Sequence, residues 1–122
     1  MQIRHVRYMV VFLTLMSLLL ATPVLASDEH GCEHDATIQS LRDCVNHADA
    51  VGHIDNGGIT KSLLAKLDAA QSALDAGQPD VAINHLNAFI NAVEAQAGKH
   101  IAEPHASHMI GHAQQVISSL SQ

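Results

Sequence analysis

Two apolar-striped stretches meet at Gly77-Gln78-Pro79, and this arrangement leaves the chain few folds to choose from. From Thr60 to Ala76, Leu63, Leu64, Leu67, Ala70 and Leu74 recur at helical spacing, while Lys61, Lys66, Asp68, Gln71 and Asp75 point elsewhere. Thr60 can cap this helix and Ile59 can pack on Leu64 as a staple. Gly77 suits the left-handed residue that ends a helix, and Pro79 suits a first helical position. The turn is therefore short and the next helix runs back antiparallel. That second arm places Val81, Ala82, Leu86, Phe89, Val93 and Ala97 on one stripe, broadened by Ile83 and Ile90, and Gly98 closes it. Asn84, Asn87, Asn91 and Glu94 form its wet side.

The flanks repeat the helical period. Ile38, Leu41, Val45 and Ala48 signal a helix from Ala36 to about Val51, capped by Asp35 or Thr37 and broken by Gly52 and by Asn56-Gly57-Gly58. A further helix begins at Pro104 and presents Ala106, Met109, Ile110, Ala113, Val116, Ile117 and Leu120 on one side. No strand pattern competes. The expected fold is all-α, a small four-helix bundle built on a central antiparallel helical hairpin, with helices near 36–52, 60–76, 79–97 and 104–120.

The run GGITKSLLAKLDAAQSALDAGQPDVAINHLNAFINAVEAQAGKHI resembles the FIMAH domain, a small helical accessory module of secreted bacterial hydrolases. The likeness extends from about Thr37 to Leu120, and SLLAKLDAAQ and AINHLNAFINAVEAQAGK are its most specific strings. It implies an all-helical secreted accessory module that interacts with a protein or polymer, and it carries over no catalytic residue. Here the module is expected to stand alone, in a histidine-rich chain.

Arg4 and Arg7 precede an apolar run from Met9 to Leu20, and Val24-Leu25-Ala26 offers small residues where a signal peptidase cuts. The run is too short and wrongly flanked for a transmembrane anchor. Cys32 follows Asp28-Glu29-His30-Gly31, which is not a lipoprotein pattern. Residues 1–26 are thus expected to be a secretory signal peptide, 27–35 a polar lead and 36–122 a single helical domain, periplasmic or extracellular, without stable membrane insertion. After Ala26 only Arg42, Lys61, Lys66 and Lys99 oppose all 12 acids, a net charge of −8 with neutral histidines. Such a surface repels nucleic acid and anionic lipid and attracts cations. Phe89 is then the only aromatic residue besides histidine, so no platform exists for stacking bases or sugars.

Two cysteines in an exported chain suggest a Cys32–Cys44 disulfide, which by loop entropy contributes on the order of 3 kcal/mol. The competing reading takes His30, Cys32, His34, Cys44 and His47 as soft metal ligands. One sulfur cannot serve both roles. Cys-Glu-His is not a haem-attachment motif, so no haem is expected.

All histidines but His5 lie after Ala26. His105, His108 and His112 fall at relative helical angles of about 0°, −60° and −20°, a narrow ridge that is expected to be partly exposed beside the apolar stripe. Imidazoles one turn apart can share Zn²⁺, Cu²⁺ or Ni²⁺, and His100 can supply a fourth ligand. The plainer reading makes them solvated polar positions. His85 reads as a boundary residue, and His53 has no partner in sequence. His-Glu-x-x-His, Gly-x-Ser-x-Gly and phosphate-binding glycine loops are absent, so neither a nucleotide nor catalysis is expected. The leading expectation is an exported helical protein that buffers, senses or delivers a divalent transition metal through clustered histidines. The alternative is a metal-indifferent module that holds an exported or cell-surface protein or polymer.

Overall fold

The computed structural model describes residues 35–122, which form four helices: α1 (Ile38–Ala50), α2 (Gly57–Asp75), α3 (Pro79–Gln96) and α4 (Glu103–Leu120). Each helix packs against its neighbours in sequence, and α4 returns to close on α1, with no diagonal pair in contact. This is an up-down-up-down bundle, as short connections between antiparallel helices require. The expected signal peptide and most of the polar lead lie outside the described residues. No helix among those described is long and apolar enough to cross a membrane.

One apolar interior is shared by all four helices. Leu41, Val45 and Ala48 of α1 meet Leu63, Leu67 and Ala70 of α2, Leu86, Phe89 and Val93 of α3, and Met109, Ala113 and Val116 of α4, each nearly or fully removed from solvent. Ile54 and Ile101, which no helical period marks, plug one end of the core from the two loops at that end. Those loops lie side by side, because Asp55 N donates to His100 O (3.1 Å) and Ala102 N donates to His53 O (2.9 Å). Val81, expected in the core, is 40% exposed at the start of α3, before that helix enters the packed region.

The helix starts correct two expectations. Thr37 caps α1, its Oγ1 accepting from Ser40 N at 3.1 Å. For α2 the cap is Asn56, whose Oδ1 accepts from Gly58 N at 2.9 Å, so Gly57 and Gly58 begin the helix instead of breaking it. A side chain at position 58 would put its Cβ 3.1 Å from that capping oxygen, a tight approach that the Asn56 side chain would have to relieve by shifting. Thr60 is consequently an interior residue, buried, with its hydroxyl donating to Asp49 Oδ1 at 2.6 Å and tying the start of α2 to the end of α1. Gly77 does end α2 as expected, at φ +70°, with Gln78 N reaching back to Ala73 O at 2.9 Å.

Leu86→Ala should cost about 2–5 kcal/mol, because a fully buried side chain is replaced by a cavity, while Asn87→Ala on the exposed face should cost under about 0.5. Gly77→Ala should cost about 1 kcal/mol by placing a Cβ at a left-handed position. Thermal melts followed by circular dichroism at 222 nm check all three; equal shifts for Leu86 and Asn87 would refute the assigned helical face.

Candidate metal centre

α1 and α4 run antiparallel, and their facing sides carry more than hydrocarbon. Cys44 lies on the apolar stripe of α1 between Leu41 and Val45 and is 1% exposed. Across from it, His108 and His112 stand one turn apart on α4, their ring centroids 6.4 Å apart and their planes at 73°. The Cys44 Sγ and one nitrogen from each of these rings all lie within 4.8 Å of one another. A tetrahedral zinc with two nitrogen and one sulfur ligands holds its donors roughly 3.3–3.6 Å apart, so modest side-chain rotation brings this set to bonding distance.

His112 is the most constrained of the three. It is 4% exposed, and its Nε2 lies 2.8 Å from the carbonyl oxygen of Asp35 and 3.0 Å from Ser40 Oγ. A carbonyl can only accept, so Nε2 carries the hydrogen and donates it, which leaves Nδ1 as a lone-pair nitrogen. Nδ1 is buried and makes no hydrogen bond. Leaving an acceptor unmet in the interior costs about 1–3 kcal/mol. An imidazole that donates one N–H to a backbone carbonyl and keeps its other nitrogen bare is also the arrangement in which histidine ligates a metal, since the carbonyl fixes both tautomer and ring orientation. Ser40 supports this from below: its hydroxyl bonds to the Asp35 carbonyl, lies 2.9 Å from Thr37 O and accepts from Thr37 Oγ1 at 3.0 Å.

The histidines grouped by helical spacing are thus divided. His112 is in the core, not on an exposed ridge, because α1 covers that side of α4. His105 is half-buried and turns to His53 at the end of α1, the two rings stacking at 3.6 Å between centroids and 25° between planes. His100 is exposed, its Nδ1 2.8 Å from Asp55 Oδ1, where it latches one loop to the other. Neither joins the centre. From the second grouping, Cys44 enters the centre; His47 is half-buried on α1 and outside the three-residue cluster, and His30, Cys32 and His34 lie outside the described residues. His85 is half-buried on α3, as expected of a boundary residue.

The centre therefore takes Cys44 from one group and His108 and His112 from the other. One sequence signal pointed to it: His112 lies only about 40° around the helix from Val116, inside the wide apolar stripe of a core-facing helix. Cys44 likewise shares the stripe of Leu41, Val45 and Ala48. No cysteine among the described residues is free.

Comparison with known proteins gives a family and no nearer relative. No curated protein and no solved structure matches the chain. The family model of the FIMAH domain matches residues 38–118, from the first residue of α1 to the last turn of α4, so the whole bundle and all three residues of the centre fall within it. The chain belongs to the FIMAH domain family.

Proposed function

We propose that this protein is an exported helical module that binds a divalent transition metal between α1 and α4, with His108 and His112 as nitrogen ligands and, where its disulfide is reduced, Cys44 as the sulfur ligand. The observation that carries this reading is the buried ring of His112, held in place by the Asp35 carbonyl with its Nδ1 bare, and with one ring nitrogen within 4.8 Å of a His108 nitrogen and the Cys44 sulfur. Two imidazoles and one sulfur suit Zn²⁺ or copper better than the hard cations, with Ni²⁺ less favoured by a tetrahedral set. Three protein ligands leave a fourth position for water or for a donor from another molecule, which fits exchange and delivery better than a closed structural site. The acidic surface draws cations toward the module. The role is binding and not catalysis.

Two further assignments accompany it. Export rests on the basic-apolar-small pattern of residues 1–26 and on the family. A Cys32–Cys44 disulfide rests on Cys44 not being free, with Cys32 as the other cysteine of the sequence. A second reading, a metal-indifferent interaction module, draws on the family and on the exposed row Asn84, Asn87, Asn91 and Glu94 along α3, whose side chains are open to hydrogen bonding with a protein or polymer.

Native mass spectrometry of the mature protein, prepared without an affinity tag and chemically reduced, should show one Zn²⁺ per chain. His108→Ala should weaken binding by at least ~10-fold, since it removes one of three protein ligands, whereas His53→Ala and His100→Ala should leave it unchanged. Zinc at 100 times its dissociation constant should stabilise the wild type by about 2.7 kcal/mol and raise its melting temperature. If wild type and a His108→Ala/His112→Ala variant bind zinc equally, the metal reading fails and the interaction module takes its place.

A further inference from the structure

We infer that the His53–His105 stack at the loop end is the port through which a divalent transition metal enters and leaves the centre, passing along α4 by way of His108. The inference rests on the metal reading above and adds to it the route to the site and the residues that work it.

Two approaches to the centre are closed. Where α4 passes the start of α1, His112 meets Asp35 and Ser40, and Thr37 donates to Ser40, so backbone and hydroxyl groups fill that end of the seam. Toward the interior, Leu41 and Met109 are fully buried in hydrocarbon, which a hydrated cation does not cross. In the direction of the loops the same edge of α4 continues in imidazole. His105 stands about 4.5 Å along the helix axis from His108, and His108 about 6 Å from His112. His105 and His108 are half-buried and His112 is 4% exposed, so the file leads inward.

His53 carries the file beyond α4. Its ring lies 3.6 Å from that of His105 and nearly parallel to it, at 25°, and the residue also borders a surface cleft of about 250 Å³ shared with Asp55, Lys99 and His100. Stacked imidazoles keep their ring nitrogens at the edges, so a small splay lets one nitrogen from each ring share a zinc at bonds of about 2.0–2.1 Å. In the cleft and the first turn of α4, Asp55 and Glu103 outnumber Lys99, which favours the approach of a cation. Two neutral nitrogens hold such an ion loosely, and the positive end of the α4 dipole at His105 loosens it further. A port requires that weakness, because an ion bound as tightly there as at the centre would go no further. His100 is engaged through Nδ1 with Asp55 at 2.8 Å and serves as the control.

A port lowers a barrier without changing the states on either side, so its removal slows loading and release by the same factor and leaves the affinity alone. Loss of a ligand does the opposite, speeding release and weakening affinity. Stopped-flow exchange of Zn²⁺ with a chromophoric chelator, on chemically reduced protein, reads both rates. His53→Phe and His105→Phe keep an aromatic ring in the stack while removing its donors, and His53→Ala repeats the measurement with α4 untouched; circular dichroism melts confirm the fold of each. All three should load and release Zn²⁺ at least ~10-fold more slowly than wild type at an unchanged dissociation constant, while His100→Ala should match wild type in both rates. Wild-type rates in the three variants would overturn the port and leave the centre standing. Weakened affinity in them would also overturn it, by making the stack part of the equilibrium site. No Zn²⁺ binding by reduced wild type would overturn the metal reading itself.

Discussion

Burial of Phe89 at the centre of the bundle is the contact on which the rest of this structure depends. It is fully enclosed, and it sits on α3, whose packing against α2 is the most extensive between any two helices of the bundle. A domain of this size has only one modest core, so each large apolar side chain carries a high share of the stability. With the α2–α3 hairpin formed around Phe89, α1 and α4 have one course open to them, which is to lie across its apolar side and meet each other. Ile54 and Ile101 close one end of the resulting interior from paired loops, a device needed because four helices of this length leave the end of their core open.

Meeting of α1 and α4 sets the chemistry. Apolar residues would fill that seam at no electrostatic cost, yet it contains a cysteine and a buried histidine. A buried imidazole loses its hydration and must recover it through hydrogen bonds. His112 recovers half, through Asp35 and Ser40, and in doing so fastens the segment before α1 to the middle of α4. The other half is left for whatever the seam admits. At the loop end, histidine serves a different purpose: the His53–His105 stack and the His100–Asp55 pair join the connections and gather no third donor among the described residues. The same residue type thus plays two roles, decided by depth of burial and by which neighbours face it.

The local order of the chain was legible in its residues. Apolar spacing of 3.6 identified four helices, Gly77 and Pro79 placed the central reversal, and the family likeness covered the same residues that form the bundle. These are properties of neighbours within a turn or two, where covalent geometry limits the choices. Asn56 shows where local signals conflict: Gly57-Gly58 reads as a break, yet a capping side chain before it converts the pair into a first turn.

What only the tertiary structure decided is which side chains share space. His105, His108 and His112 lie on one helical edge by spacing alone, but a rotation of α4 by a few tens of degrees determines which of them α1 covers, and that rotation is set by packing against two helices distant in sequence. The bond between Ser40 and His112 spans 72 residues, and no period or motif encodes such a pairing. Helical spacing therefore determined the faces, and the closing of α4 on α1 determined that Cys44 and His112 meet inside the protein, where loss of water makes an unmet nitrogen costly enough to demand a partner.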